Sequence, residues 1–155
     1  MQIKNILLSV ILLFSLSSFS KGQELTTDST LNQFVKKWVG RPYKFGGRTE
    51  KGIDCSQFSK RLYKDVYNIE LGNVCWRQWN QTKRIKRDSL QTGDILFFNS
   101  RVSPSGWHCG VYLSNNKFVH AANVREGVKV SSLLEPKYSR IYKGAGRILK
   151  KEVDD

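Results

Sequence analysis

The sequence predicts an α+β fold in which helices come first and an antiparallel sheet follows. One indication is the helical spacing of the apolar residues downstream of Cys55, which are Phe58, Leu62, Val66 and Ile69. A second is the continuous apolar run of residues 95–98 between turn signals, which is typical of a buried strand. A third is the series of short strand-like segments that follows it. The 155 residues suffice for one domain with its own hydrophobic core.

Residues 1–22 have the features of a secretory signal peptide. Lys4 provides a positive start, and residues 6–16 form an apolar run shorter than the ~20 residues that a membrane-spanning helix needs. The small residues Ser20 and Gly22 precede the expected cleavage point. We therefore expect an exported protein, periplasmic or secreted, with no membrane span in the mature chain.

The mature chain is expected to have a flexible segment, residues 23–30, followed by one domain over residues 31–150. The whole chain carries a net charge of +13, which becomes +11 without the two lysines of the signal peptide. A basic exported protein favours an anionic partner such as a cell-wall polymer, and we do not expect nucleic acid to be the partner. The densest basic run, residues 83–87, is interpreted as a solvated turn or helix end.

Helices are expected in the first half of the mature chain. The first covers residues 31–38, with Ser29 or Thr30 as its N-cap. The second begins after the N-cap Asp54 and ends near Gly72. A short helix or an irregular aromatic segment follows. Strands are then expected at residues 95–98, 107–113, 117–122, 128–130 and 141–149.

Cys55 is the candidate nucleophile. In the first turn of its predicted helix it meets unpaired backbone N–H groups and the positive end of the helix dipole, which favour an anion such as a thiolate. We therefore expect its pKa to lie below the ~8.5 of an ordinary thiol. The same N–H groups would hold the oxyanion of an acyl-transfer reaction. The alternative is a small buried apolar residue, the usual state of a free cysteine.

Both histidines of the chain fall on one predicted hairpin. A two-residue turn at residues 115–116 would put His108 and His120 on opposite faces of the sheet. A three-residue loop would put both side chains on one face, about 7 Å apart. Gly110, between them on that face, leaves room for a ring. A joint site therefore requires an odd-numbered loop or a bulge, and otherwise each histidine is an ordinary half-buried strand residue.

The three cysteines of the chain are an odd number for an oxidising compartment. One thiol must stay free or pair between chains. If two of them pair, Cys75 and Cys109 are the expected partners, because that pairing spares Cys55. We expect no metal and no cofactor, since the chain has no C-x-x-C motif and adjacent His108 and Cys109 point to opposite faces of a strand.

Six motifs make the sequence resemble the NlpC/P60 family of cell-wall cysteine peptidases. They occur in the family's order, at residues 41–47, 53–58, 90–98, 108–113, 118–121 and 145–148. Each motif alone is weak, whereas six in the right order are specific. The resemblance implies a minimal papain-like domain, with N-terminal helices and the nucleophile helix packed on an antiparallel sheet.

The resemblance also implies catalytic roles for three residues. Cys55 matches the nucleophile, His108 matches the general base, and His120 matches the third residue that orients the base. The implied function is that of a secreted peptidoglycan hydrolase. It would cleave stem peptides as a thiol endopeptidase, at the bond between D-glutamate (γ) and the following diamino acid.

Three further residues match positions near the scissile bond. Tyr43 matches the tyrosine that reaches towards the nucleophile and helps the oxyanion hole, and Asp54 and Ser56 match positions that contact the peptide. Gln57 departs from the family, which usually has glycine after Cys-Ser, and it puts the substrate geometry in question. Cys109 stands where valine is common.

Two other functions remain open at this point. One is an amidase, or another thiol acyltransferase on the same fold, which would leave different peptidoglycan fragments. The other is a catalytically inactive, basic wall-binding protein. Its binding would fall steeply with added salt, and replacing Cys55 would change no activity.

Overall fold

The computed structural model describes residues 26–149 of the chain. Within this part, the structure has four α-helices and one short 3-10 helix at Arg87–Ser89. The α-helices are α1 (Ser29–Trp38), α2 (Cys55–Tyr67), α3 (Cys75–Asn80) and α4 (Pro136–Ser139). Three of them precede the main strands, so the order of elements confirms the predicted α+β fold.

The described residues form two antiparallel sheets. The small one pairs β1 (Arg48–Thr49) with β2 (Gly52–Ile53). The strands of the main sheet are β3 (Lys83–Ile85), β4 (Ile95–Asn99), β5 (Trp107–Tyr112), β6 (Lys117–Asn123), β7 (Gly127–Ser132) and β8 (Tyr142–Arg147). Their order across the sheet is β3-β8-β4-β5-β6-β7, so the last of the described strands lies inside the sheet, between β3 and β4.

The main sheet has a hydrophobic core on each face. Side chains alternate along a strand, so the neighbours Phe97 and Phe98 of β4 point to opposite faces. Phe97 belongs to the larger core, which also contains Trp38 of α1 and Phe58 of α2. Phe98 belongs to the smaller core, together with Phe118 of β6. Helices α1 and α2 therefore pack on one face of the sheet, as expected for a nucleophile helix.

The ends of α1 and α2 differ from the sequence prediction. Asp28, rather than Ser29 or Thr30, caps α1, because its Oδ1 accepts a hydrogen bond from Leu31 N at 2.9 Å. Helix α2 stops well before Gly72. Asn68 adopts a left-handed conformation with φ of 54°, which asparagine tolerates and which ends a helix.

The start of the described chain is also more ordered than predicted. Thr26 belongs to the expected flexible segment, yet it is buried. Its carbonyl accepts a hydrogen bond from Asn32 Nδ2, and its hydroxyl donates to Thr92 Oγ1 at 3.1 Å. Residues 26–28 thus pack against the domain, and residues 23–25 lie outside the described part.

The basic run 83–87 is not the predicted turn or helix end. Its first three residues form β3, which pairs with β8 in the register Lys83↔Arg147. The run was ambiguous because charged residues around a single isoleucine suit a strand at the edge of a sheet as well as a solvated turn. Its four charged residues are exposed, as a solvated run should be.

The hairpin between β5 and β6 has the three-residue loop that a joint histidine site requires. Leu113 N donates to Lys117 O at 2.9 Å, and Lys117 N donates to Ser114 O at 2.8 Å. Asn115 and Asn116 reverse the chain with φ of 49° and 59°, in the left-handed region that asparagine tolerates. The loop therefore has odd length, and both histidines face the same side of the sheet.

Among residues 26–149, no helix combines the length and apolar character needed to cross a membrane. The predicted signal peptide, residues 1–22, lies outside the described residues.

Candidate active site

Cys55 is the first residue of α2, as the sequence predicted. The helix begins there because Asp54 Oδ1 accepts a hydrogen bond from Gln57 N at 2.8 Å. The other carboxylate oxygen of Asp54 accepts from Gly46 N at 3.0 Å, which fixes the preceding turn to the helix. The side chain of Cys55 is largely buried, with 7% of its surface exposed at a cleft.

His108 and His120 meet on one face of the sheet. His108 Nε2 and His120 Nδ1 are 2.6 Å apart, and the two rings are nearly perpendicular at 79°. Gly110 lies opposite His120 across the hairpin. A methyl group at Gly110 would come within 2.9 Å of His120 Cβ, so this close approach requires glycine. Of the two registers that the sequence left open, the structure has the one that puts both histidines on one face, with Gly110 leaving room for the ring.

The thiol of Cys55 and the ring of His108 line one cleft and interact electrostatically. Hydrogen bonds from Cys109 and Cys75, followed by the charge and hydrogen bond of His108, lower the pKa of the Cys55 thiol well below its ordinary value. They outweigh burial, which raises the pKa. The direction agrees with the sequence prediction, but the neighbouring thiols were not expected to contribute.

His120 is buried and stays neutral. Burial, followed by the charge of His108, lowers the pKa of His120 well below its ordinary value. Its Nε2 lies 3.0 Å from Ser131 Oγ and 3.3 Å from Tyr138 OH. If Nε2 carries the proton and donates it to these oxygens, Nδ1 is free to accept a hydrogen bond from His108 Nε2.

Ser131 and Tyr138 are therefore positioning residues that the sequence analysis did not identify. Ser131 lies on β7 and its hydroxyl donates to Tyr138 OH at 3.3 Å, so both oxygens belong to one buried network with His120. The available signal was weak: a serine beside valines in a short strand and a tyrosine in a polar segment, with nothing to relate either to His120.

Tyr43 also lines the cleft, half-buried beside Cys55. Burial, followed by the negative charge of the Cys55 thiolate, raises the pKa of Tyr43 to about 12. The phenol therefore keeps its proton at neutral pH and is available as a hydrogen-bond donor. This position is consistent with the predicted role in the oxyanion hole.

Asp54 and Ser56 line a second recess next to Cys55. Both side chains are buried and already hydrogen-bonded. Ser56 Oγ donates to Asp54 Oδ1 at 2.8 Å and to the carbonyl of Asn73 at 3.1 Å. Their visible role is to hold the start of α2, and contact with a peptide stays a prediction. Gln57 lines the same recess and donates to Asn73 O at 2.8 Å.

Cys55, Cys75 and Cys109 bring their sulfur atoms within 4.8 Å of one another. Among the described residues, this is the group of side chains with a spacing that would suit a metal ion. Nothing in the sequence predicts this cluster, because the three cysteines come from α2, α3 and β5. All three are free thiols here, so the expected bond between Cys75 and Cys109 is not formed. An ion held by all three would occupy the candidate nucleophile.

The cleft above Cys55 has a volume of about 480 Å³. Its walls come from the loop between β4 and β5, from the end of β6 and from the turn that follows β6. The residues from these segments are Ser100, Val102, Ser103, Ala122, Asn123, Val124 and Arg125. Val102 and Val124 expose 92% and 78% of their surface, so the rim offers apolar contacts on both sides.

A thiol at the start of a helix, beside an imidazole on an antiparallel sheet, defines a papain-like cysteine peptidase. The model of the NlpC/P60 family matches residues 40–147, which is more than half of the chain. The chain therefore belongs to the NlpC/P60 family, and the resemblance found in its motifs is confirmed.

Relatives of known description are similar over most of the chain. A probable endopeptidase of Haemophilus influenzae is 34% identical over 127 residues, which cover 82% of this chain and 78% of that protein. The murein DD-endopeptidase MepS/murein LD-carboxypeptidase of Escherichia coli K12 is 40% identical over 112 residues. That match covers 72% of this chain and 58% of the relative, so the chain spans little more than half of that protein.

Solved structures of the family have the same fold. An NlpC/P60 family protein from Bacillus cereus superposes with a TM-score of 0.70 at 27% identity, over 78% of this chain and 40% of that one. The NlpC/P60 domain of the peptidoglycan hydrolase SagA gives a TM-score of 0.65 at 27% identity, over 79% of this chain and 99% of that domain.

Proposed function

We propose that the protein is an exported peptidoglycan hydrolase that cleaves stem peptides with a Cys55–His108–His120 triad. One observation carries the proposal: the Cys55 thiol and the His108 ring line one cleft although they are far apart in the sequence, and the buried His120 is hydrogen-bonded to His108. Family membership and relatives named as endopeptidases support it.

The first half of the reaction forms a thioester. The Cys55 thiolate attacks the peptide carbonyl, and the Cys55 backbone N–H and the Tyr43 hydroxyl stabilise the oxyanion. The His108 imidazolium then gives its proton to the leaving amine as the C–N bond breaks. His120 orients His108 through the 2.6 Å contact and, being neutral, stabilises the imidazolium less than a carboxylate would.

The second half releases the product. His108, now neutral, takes a proton from a water molecule that attacks the thioester carbonyl. The C–S bond breaks, the new carboxyl group leaves, and Cys55 regains its thiolate beside the imidazolium. No metal or cofactor takes part in this proposal.

The bond that is cut has two candidates. Resemblance to the family favours the bond between D-glutamate (γ) and the diamino acid of the stem peptide. The name of the Escherichia coli relative, a murein DD-endopeptidase, favours instead a bond between two D-centres, which in peptidoglycan is the crosslink. The apolar rim at Val102 and Val124 suits either peptide, and it accounts for binding rather than for the choice of bond.

The decisive experiment is digestion of purified peptidoglycan with wild type and Cys55→Ala, with the fragments identified by mass. Cleavage next to D-glutamate leaves muropeptides that end in D-glutamate, whereas crosslink cleavage converts dimers to monomers with intact stems. An amidase would instead separate the glycan from its L-alanine. Fragments that are identical with and without the Cys55 thiol would contradict the proposal and favour an inactive wall-binding protein.

A further inference from the structure

The three thiols form a compact triangle at the base of the cleft, with all three sulfur atoms within 4.8 Å of one another. Cys55 exposes 7% of its surface, Cys75 exposes 4% and Cys109 exposes none. The sulfur of Cys75 lies 3.7 Å from Cys55 Sγ and 3.0 Å from Cys109 Sγ. A disulfide bond is about 2.05 Å long, so Cys75 needs to move only about 1–2 Å to bond either neighbour.

We propose that Cys75 and Cys109 are a redox-modification site that removes oxidation from Cys55 and stores it in a buried disulfide. The proposal rests on the assignment of Cys55 as the nucleophile of the proposed function. Cys75 is the shared partner: it can bond Cys55 or Cys109, but only the bond to Cys109 leaves the nucleophile free.

The oxidant is a peroxide, and the steps balance. The Cys55 thiolate attacks hydrogen peroxide, which forms a sulfenic acid at Cys55 and releases hydroxide, protonated to water. Cys75 then attacks the Cys55 sulfur, the S–O bond breaks, and a Cys55–Cys75 disulfide and a second water form. Finally Cys109 attacks the Cys75 sulfur and Cys55 leaves as a thiolate. In sum, two thiols lose two electrons and one peroxide becomes two waters.

The last exchange is driven by the different surroundings of the two end cysteines. The thiol of lower pKa is the better leaving group in such an exchange. Cys55 sits at a helix N-terminus beside His108, whereas burial raises the pKa of Cys109 well above its ordinary value. The exchange therefore favours the disulfide between Cys75 and Cys109, which leaves Cys55 as the thiolate.

Peroxide reaches the three thiols through the cleft. Cys55 and Cys75 both line the recess that also holds Tyr43 and Asp54, so a small peroxide reaches Cys55 and then Cys75. Cys109 is enclosed by Ser59 and Gln78, whose polar atoms lie 3.5 Å and 3.6 Å from its sulfur. Cys75 Sγ lies 3.0 Å from that sulfur, which places Cys75 to pass the bond to Cys109.

The test treats the purified full-length mature protein with one equivalent of hydrogen peroxide, alkylates free thiols and maps disulfides by peptide mass. We expect a Cys75–Cys109 crosslink, an alkylated Cys55, and a melting temperature raised by roughly 5–15 °C, as a closed loop of this length gives. Sulfinic acid at Cys55 without a crosslink, or a lasting Cys55–Cys75 bond, would overturn the proposal.

Three variants test the order of the steps, each compared with its own reduced state. Cys109→Val should stop at the Cys55–Cys75 disulfide, with peptidase activity lost and restored by dithiothreitol. Cys75→Ala cannot form the Cys75–Cys109 bond, so oxidation should stay on Cys55, as a sulfenic acid that dimedone labels or as a bond to Cys109, whose sulfur also lies within 4.8 Å. Cys55→Ser should form the Cys75–Cys109 bond at least tenfold more slowly. If Cys55→Ser crosslinks at the wild-type rate, Cys55 is not the entry point and the relay is refuted.

The mapping does not depend on peptidase activity. A protein that shows the crosslinks but leaves peptidoglycan whole would refute the proposed function and keep this inference. A protein that digests peptidoglycan but shows no Cys75 crosslink would refute this inference and leave the proposed function standing.

Discussion

His120 combines full burial with three polar contacts. Two of them, to Ser131 and Tyr138, hold one ring nitrogen, and the third joins the other nitrogen to His108. A charged imidazole in this position would have no carboxylate among these contacts. The folded state therefore requires a neutral His120 ring, and protonation of this ring opposes folding.

Acid should destabilise the protein through His120. Its folded-state pKa is lowered, so between the ordinary pKa of histidine, about 6.5, and the lower folded value the unfolded chain binds more protons. The contribution of neutral His120 to the free energy of unfolding is fully present above about pH 6.5 and is lost as the pH falls through this window. We expect the melting temperature of the wild type to fall between about pH 7 and about pH 5.

His120→Gln is the matched control for this prediction. Glutamine keeps polar atoms near Ser131 and His108 but does not titrate. The variant should be less stable at neutral pH and should show a flatter dependence on acid in the same window. Parallel curves for wild type and variant would assign the acid effect to other groups.

Among the secondary-structure elements, the β5–β6 hairpin is the one whose detail could be predicted. The spacing of the two histidines and the glycine between them required an odd loop, and the structure has one. The helix ends were less predictable. Ser29, Thr30 and Asp28 are all good caps, and Asn68 and Gly72 both suit a helix end, so local preference leaves more than one answer and tertiary packing selects among them.

Gly110→Ala should disrupt the hairpin. The added methyl would lie 2.9 Å from each of His120 Cβ, Phe118 Cδ2 and the carbonyl of Val119. Overpacking of this kind costs about 1–3 kcal/mol. Because His120 must shift to relieve it, kcat should fall more than the loss of folded protein explains. Urea unfolding and digestion of peptidoglycan by the folded variant would measure the two effects.

Gly106→Ala is the control for this comparison. Gly106 precedes β5 and has no neighbouring atom within 4 Å of the added methyl, so only its φ of 73° opposes alanine. It should lose about 1 kcal/mol and keep its activity per folded molecule. An equal loss of kcat in both variants would show that strain in the loop, rather than the position of His120, limits catalysis.

Asp54→Ala tests whether the N-cap of α2 serves catalysis in addition to the stability that any helix cap provides. It removes the acceptor of Gln57 N, Gly46 N and Ser56 Oγ at once. We expect a stability loss of about 1–2 kcal/mol and a fall in kcat/KM, because the turn and the thiol lose their common anchor.

Asp28→Ala, at the N-cap of α1, provides the comparison. It removes the bond from Leu31 N and should have a similar cost in stability, without a change in kcat/KM at a temperature where both variants are folded. Equal kcat/KM for the two variants would mean that capping by Asp54 serves stability alone.

Over the whole molecule, positive charge predominates, and without residues 1–22 the net charge is +11. We predict that binding of Cys55→Ala to insoluble cell walls falls steeply between about 50 mM and about 500 mM salt, because screening weakens long-range attraction. A co-sedimentation assay would measure it. Walls stripped of anionic polymers are the control, and equal binding at both salt concentrations would refute an electrostatic contribution.

Two features of the whole molecule could not be predicted from the sequence. The thiol cluster joins residues from α2, α3 and β5, and nothing in their spacing along the chain relates them. The position of β8 inside the sheet was equally hidden, since its length and composition suit an edge strand as well. Family motifs predicted roles for Tyr43, Cys55 and His108, which line the cleft. The buried partners Ser131 and Tyr138 carry no motif and are found only from the packing around His120.

The insertion of β8 between β3 and β4 has a consequence for how the protein matures. Two nitrogens of Arg147, on β8, donate hydrogen bonds to the buried carboxylate of Asp94 at 2.7 Å and 2.8 Å. This ion pair also holds β8 in the sheet. Until β8 has been synthesised, the sheet lacks the strand between β3 and β4. The six-stranded sheet therefore cannot be complete until residues 142–147 have been synthesised, so closure of the sheet lags behind translation of both histidines.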